Sequence, residues 1–386
     1  QSDQDIVQSL QQLVAKSPHE IDVQQVAFDG IETDNYQQNN VALTDSSIPE
    51  VSRFHGKIER DWWLSSFSAL SRNLRHGGVS TPDRDTELIE SNGMRVVAQE
   101  KLRFQLAKGA HSGNLLHDIL EHSDFVIVSE SVNNWQESIK WPLVKYGELT
   151  LGFTEEDLIA WLDEIVATPL VKTGTVCDDH FCLADISMQK TLRESEFYFP
   201  MEEANISALT KLLTDHRNSA LVDLNSAYGI NPVRLPSYQS LKGMMHGFID
   251  LVFEQNGKYY VCDYKSSHLG DDFTDYNHQA LRHNIEKNYY DLQYLIYSLA
   301  LHRYLQLNVP DYDMAEHFGG IYYLYLRGMT NDEEYNGVGV YFRKILPDEL
   351  TALDCLFLGK NVGEEIGKES LDKGSTSNND STSEET

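Results

Sequence analysis

Two aspartates and a lysine, Asp250, Asp263 and Lys265, have the types and spacing to act together in chemistry. They lie in two aromatic-rich apolar runs, 247–253 and 259–265, flanking Asn256-Gly257, a strong short-range hairpin signal. With Asn256 and Gly257 as the loop, Asp250 falls directly opposite Asp263, their Cβ atoms about 4.5–5.5 Å apart. Lys265, two residues beyond Asp263, shares its face, together with Phe248, Val252, Tyr259 and Val261. Ile249, Leu251, Phe253, Tyr260, Cys262 and Tyr264 take the other face. Both faces are mostly apolar, so the pair is expected inside a covered sheet. Facing carboxylates repel, and a buried unpaired carboxylate is costly. A divalent cation between them answers both problems, and hard carboxylate oxygens suit Mg²⁺. A longer loop would instead slip the register and turn one aspartate to solvent.

The chain around this hairpin has 386 residues, enough for one large domain or two ordinary ones. Its 41% apolar content excludes disorder throughout. No apolar run approaches the roughly 18 residues of a membrane span, and no signal peptide is expected in this stretch. A start at Gln1 reads as a piece of something longer. Four scattered cysteines make no disulfide framework and fit a reducing cytoplasm. Cys177 and Cys182 bracket a histidine, but without CxxC spacing or a second pair no zinc site is expected. A formal net charge of −29 counts against a nucleic-acid partner, since phosphate binding needs local positive potential. Solubility or a salt-adapted host is the other reading of that charge.

Elements that must position the hairpin can be read in order. An amphipathic helix spans roughly 5–16, followed by a polar linker. Ser65 to Arg72 reads as a strand, and the stretch from 76 to about 90 as a flexible connection. A helix beginning near Gly113 puts His117 and Glu121 one turn apart, with Leu116, Ile119 and Leu120 as its apolar stripe. His117 can be a ligand or a core histidine. Another helix covers Glu155 to Ala167. Lys190 to Pro200 alternates as a strand, with Glu194 and Glu196 on one face; an exposed edge would also explain them. An unbroken helix is expected from about Asn277 to Leu305, since it holds no Pro or Gly. It places Gln293 and Tyr297 at i, i+4, to face a ligand or to pack. A strand follows Gly319-Gly320, and the tail from about Asn361 is too polar to fold.

Helices and strands alternating around Asp, Asp-x-Lys resemble the PD-(D/E)XK nuclease superfamily. The implied fold is α/β and restriction-endonuclease-like, a mixed central sheet flanked by helices. Five blocks occur in family order: Gly-Asn-Leu-Leu-His117, the Glu194-x-Glu-Phe strand, Gly-Phe-Ile-Asp250, Asp263-Tyr-Lys265-Ser and Tyr290-Asp-Leu-Gln293-Tyr-Leu-Ile-Tyr297. Together they resemble the nuclease domains of the RecB family, the beta subunits of RecBCD exodeoxyribonuclease V. His317-Phe-Gly-Gly-Ile-Tyr and the earlier Ser-Phe-Ser-Ala-Leu70 extend the likeness over nearly the whole chain.

The resemblance implies a metal, Mg²⁺, bound by His117, Asp250, Asp263 and the backbone carbonyl of Tyr264. It makes Lys265 the lysine that positions water, and Glu194 the upstream acid, with Glu196 the nearby alternative. Gln293 and Tyr297 match the family's Q-x-x-x-Y motif near the DNA strand. Implied partners are DNA, RecC-like and RecD-like subunits and a recombinase of the RecA kind. The implied division is 1–75 as the end of a helicase region and linker, 76–112 as tether, 113–360 as nuclease, and 361–386 as a disordered tail. The four cysteines of iron–sulfur relatives have no counterpart here, so no such cluster is expected. No Gly-x-x-x-x-Gly-Lys-Ser/Thr is present, so this piece carries no ATP motor. Two other classes remain open: a docking module without metal binding, which fits the acidity and long helices, and a stand-alone restriction-type endonuclease that would cut circular DNA into discrete fragments.

Overall fold

Among the described residues, six strands form one mixed sheet in the computed structural model: β1 (Trp63–Ser65), β2 (Thr191–Ala204), β3 (Leu241–Gln255), β4 (Lys258–Lys265), β5 (Phe318–Tyr325) and β6 (Val340–Arg343). The structure describes residues 8, 12, 14, 63–67, 101–147, 149, 152–170, 181–219, 230–235 and 241–360. The chain falls into two units, Gln1–Ile58 and Glu59–Thr386, and all the elements named here belong to the second. Of the helix expected over 5–16, the described residues 8, 12 and 14 are helical. The linker after it, the connection from 76, Cys177 and the tail lie outside the described residues.

The hairpin forms in the register the turn dictates. Asn256 and Gly257 both take positive φ, 53° and 75°, as the two-residue type I′ turn requires. Pairing runs from Gln255–Lys258 to Leu251–Cys262, and its continuation sets Asp250 against Asp263. β4 then pairs in parallel with β5, Asp263 beside Tyr323 and Lys265 beside Tyr325. This makes β4 an interior strand covered on both faces, as its near-continuous apolar run demands.

Helices close both faces. On one side lie α1 (Leu102–Gln105), α2 (Ala110–His122), α3 (Phe125–Glu130), α4 (Val132–Tyr146) and α5 (Glu155–Ala167). Leu116, Ile119, Trp135 and Leu162 there pack with Leu251, Cys262 and Tyr264 of the sheet. On the other lie α6 (Ile206–Ser219), α7 (His278–Asn288), α8 (Tyr290–Asn308) and α10 (Pro347–Phe357), with the short α9 (Met314–His317) before β5. Leu213, Ile285, Leu295 and Leu353 pack there with Ile249, Val252 and Val261. α5 begins where the sequence places it, on a Thr154–Asp157 capping box. Arg327 ties α1 to the sheet by donating to the carbonyls of Arg103, Leu106 and Ala107. Among the described residues no helix is long and apolar enough to cross a membrane.

Three expectations need correction. The strand expected over Ser65–Arg72 is instead β1, which ends at Ser65, with Phe67 already helical. The single helix expected over 277–305 is two, α7 and α8, broken at Tyr289, whose φ of 58° is left-handed. That conformation costs a non-glycine residue roughly 1–2 kcal/mol. Tertiary bonds hold it: the Tyr289 hydroxyl accepts the Arg234 N–H at 2.9 Å, and an Arg217–Asp291 ion pair pins the next turn.

The third correction concerns alternation along β3. Phe248 was expected on the same covered face as Val252, yet it is 45% exposed while Ile249 and Val252 share one core. Leu251, between them, belongs to the opposite core. The apolar phase therefore inverts at Asp250. β2 inverts at the same rung: Phe197 and Phe199 pack with Ile249, whereas Arg193 reaches to the α2 side.

Candidate functional site

The inversion is where the acidic side chains gather. Between the Arg193–Leu251 and Ser195–Ile249 pairs the ladder skips Glu194 and Asp250. Glu194 has a φ of 44°, a left-handed conformation that costs a residue with a Cβ of order 1 kcal/mol or more and clusters at functional sites. His117 comes from α2 and is 7% exposed. Its Nδ1 lies 3.5 Å from Asp250 Oδ2, and its ring meets the edge of Tyr264 at 5.8 Å. Asp250 Oδ2 also accepts the Tyr264 N–H at 2.8 Å, which ties the aspartate to the end of β4. Donor atoms of His117, Glu194 and Asp250 all lie within 4.8 Å of one another.

Arg193 locks α2 to this rung. Its Nη1 donates to the carbonyls of Leu120 at 2.8 Å, Glu121 at 3.0 Å and Ser123. The guanidinium lies over the Phe125 ring, 4.2 Å from its centroid. A cation bonding the open carbonyls at a helix C-terminus is well placed against the helix dipole. Gly113 allows the close approach at the other end: a Cβ there would stand 2.8 Å from Ser266 Oγ. Arg193→Ala should destabilise the domain by about 1.5–3 kcal/mol, the range for hydrogen bonds to a charged group. A urea midpoint unchanged from the parent would show that Arg193 does not hold α2.

Lys265 is the second half of the site. Its Nζ lies 2.7 Å from Asp263 Oδ2, with both side chains under a tenth exposed. It donates to Gln293 Oε1 at 3.3 Å and sits over Tyr290, 3.9 Å from the ring centroid. Gln293 Oε1 also accepts from the Tyr323 hydroxyl at 2.8 Å, and its Nε2 donates to Tyr297 at 3.0 Å. Two donors on Oε1 fix which way the amide points. Burial pushes the Asp263 carboxyl up to about 8; Lys265 works against that rise and Asp250 adds to it.

The chemistry of this donor set fits a divalent cation. One imidazole nitrogen and two carboxylates converge, and a third carboxylate is close enough to feel Asp250. Hard oxygen donors dominate, and a cation would offset the repulsion that burial amplifies. The structure thus brings together His117, Glu194 and Asp250 on one side, and Asp263, Lys265, Gln293 and Tyr297 on the other. Tyr264 joins both through its N–H and ring. Glu196 stays apart: its carboxylate accepts from Tyr198 at 2.6 Å and pairs with His246 at 3.0 Å. Arg193 and Tyr323 were not singled out from the sequence, and Tyr290 was named only as the start of the Q-x-x-x-Y block, without its place over Lys265. Tyr323 carried a signal only in hindsight, as the parallel partner of Asp263.

Comparison with known proteins adds an independent line. The family model described as the PD-(D/E)XK nuclease superfamily matches residues 92–354. The RecBCD enzyme subunit RecB of Haemophilus influenzae is 33% identical over 325 residues, covering 80% of this chain and 24% of that protein. RecB of Escherichia coli is 31% identical over 335 residues, covering 85% and 26%. RecB of Mycobacterium tuberculosis is 28% identical over 305 residues, covering 72% and 27%. The chain spans about a quarter of the length of these curated relatives.

Proposed function

Because this chain belongs to the PD-(D/E)XK nuclease superfamily, we propose that it is a metal-dependent DNase that hydrolyses phosphodiester bonds of linear DNA. The observation that carries this reading is the convergence of His117, Glu194 and Asp250 within 4.8 Å, beside the buried Lys265–Asp263 pair. Likeness to RecB extends it to a nuclease domain of a RecBCD-type exodeoxyribonuclease V, acting in double-strand-break repair and recombination in the cytoplasm. RecC-like and RecD-like chains, and a RecA-type recombinase, are then the expected partners.

His117, Asp250, Asp263 and the Tyr264 carbonyl would hold Mg²⁺, with Glu194 as a further acidic donor. When bound, the ion supplies a Lewis acid for the scissile phosphate. Lys265, fixed by Gln293 and the Tyr290 ring, presents an N–H to the attacking water or to a phosphate oxygen where negative charge develops. Gln293 keeps the ammonium in place, and Tyr297 extends the same bonded chain toward the DNA strand. Exclusion of bulk water around Lys265 strengthens each of these contacts.

The reading is tested by incubating the 386-residue chain with linear duplex and single-stranded DNA, with and without Mg²⁺. Progressive loss of linear DNA that needs Mg²⁺ and stops with chelator is expected. Calorimetric titration should also show divalent-metal binding that Asp250→Ala weakens. Neither cleavage nor metal binding would leave a docking module as the better description, and discrete fragments from circular DNA a restriction-type enzyme.

A further inference from the structure

Beyond the acidic cluster, the β2–β3 ribbon leaves an aromatic face open. Phe248 stands two residues from Asp250 on β3 and is 45% exposed; Tyr198 on β2 is 54% exposed. The ladder pairs Phe248 with Glu196 and His246 with Tyr198, so all four side chains share one face. His246 stacks on Tyr198 with centroids 4.4 Å apart and planes 18° from parallel, and meets Phe248 edge-on at 5.2 Å. Glu196 bonds both the Tyr198 hydroxyl and His246. The Tyr198 and His246 rings are therefore held in place by one carboxylate.

Three features point to one occupant. Tyr198 and Phe248, joined through His246, make one contiguous exposed ring surface, and a contiguous exposed apolar patch marks an interaction site. The rings continue directly from the rung that carries Glu194 and Asp250, so a nucleic-acid strand lying along the ribbon reaches both. The carboxylate bonded to the rings, Glu196, repels phosphate and favours the uncharged faces of bases. A duplex hides those faces inside its stack, whereas a single strand can turn them outward.

We propose that Tyr198, His246 and Phe248 form a base-stacking platform that guides single-stranded DNA into the acidic cluster. The proposal rests on the nuclease reading above for the identity of the strand. Binding through bases also lets a chain of net charge −29 take DNA without a phosphate clamp. The salt dependence of binding should accordingly be shallow, since few counterions are displaced.

The test uses the full chain in a Lys265→Ala background, with a fluorescein-labelled single-stranded oligothymidylate in Ca²⁺. Tyr198→Ala and Phe248→Ala should each weaken binding about tenfold, the scale of one lost base–aromatic stack. Tyr198→Phe and Phe248→Tyr should restore it, which separates stacking from a folding defect. An oligonucleotide with abasic sites should show the same loss against the parent, and no further loss against the alanine variants. Blunt duplex should be affected little by any of them.

Alanine variants that bind oligothymidylate as tightly as the parent would overturn the platform, as would abasic DNA bound at full affinity. Retained DNA affinity with lost association to a helicase-bearing partner chain would assign the face to protein, and would overturn it too. Failure of the unmodified chain to cleave any DNA would sink the nuclease reading, while the stacking measurements would still decide the platform.

Discussion

Lys265→Ala should lower the rate of linear-DNA degradation by at least about 10²–10³-fold, the usual loss when a preorganised electrostatic donor is removed. The side chain is positioned by four groups at once: Asp263 at 2.7 Å, Gln293 at 3.3 Å, and the rings of Tyr290 and Tyr323 at 3.9 and 5.1 Å. So many contacts on one ammonium leave it little freedom, which is what a donor aimed at developing charge requires. Folding should suffer much less than activity. Burial already pushes Asp263 up to about 8, so on losing its cation the carboxyl takes up a proton instead of remaining a bare buried charge. Lys265→Arg should not rescue, because a planar guanidinium cannot fill the place of a compact ammonium between Asp263 and the Tyr290 ring. The measurement is release of acid-soluble nucleotides with Mg²⁺, alongside thermal unfolding. Lys265→Ala protein that degrades linear DNA at the parent rate would remove this residue from the mechanism.

Asp291→Ala should cost about 3–5 kcal/mol of stability, as expected for leaving one member of a buried ion pair without its partner. Arg217 and Asp291 have side chains 2% and 1% exposed. The guanidinium bonds both Asp291 oxygens, the Nη2 contact being 3.1 Å, and also donates to the carbonyls of Glu286 and Asn231. It thereby joins α6, the end of α7 and the start of α8 across the left-handed Tyr289. A loss of that size is a large part of the roughly 5–15 kcal/mol that keeps a domain folded. It should also lower activity in whatever protein stays folded, because the first turns of α8 carry Tyr290 and Gln293 against Lys265. Denaturant midpoints for Asp291→Ala, Arg217→Ala and the double variant give the coupling energy. If the single variants each cost less than about 1 kcal/mol, the pair does not secure this corner.

What could be read from the chain divides along physical lines. The hairpin was legible because Asn256-Gly257 determines its own backbone angles and, through them, the register of Asp250 and Asp263. α5 was legible because its capping box is local. The break at Tyr289 was not, since no Gly or Pro marks it; it depends on Arg234 and Arg217, which are distant in the chain. Glu194 and Glu196 could not be told apart by spacing alone. Their separation comes from the left-handed angle at Glu194, after which one carboxylate meets His117 and the other meets Tyr198 and His246. The Q-x-x-x-Y pair was visible as i, i+4, but its purpose came only with Tyr323 and Lys265, which the sheet brings to Gln293. Residue types and local turns thus announced the candidate chemistry, while long-range packing decided which copies of those residues come together.

The inversion at the Glu194–Asp250 rung bears on how such centres can be found. Along β3, residues of one core follow at Met245, Ile249 and Val252, a four-residue step and then a three-residue step. Strict alternation permits only even steps, so the odd one is a slip of phase, comparable to a stutter in a coiled coil. β2 slips at the matching position, so the two strands remain in register while exchanging inside for outside. A slip in one strand would break pairing; a joint slip preserves it and frees one pair of side chains from both cores. Simultaneous odd steps on neighbouring strands therefore mark a rung available for chemistry, and they can be sought in a sequence that carries no recognisable motif.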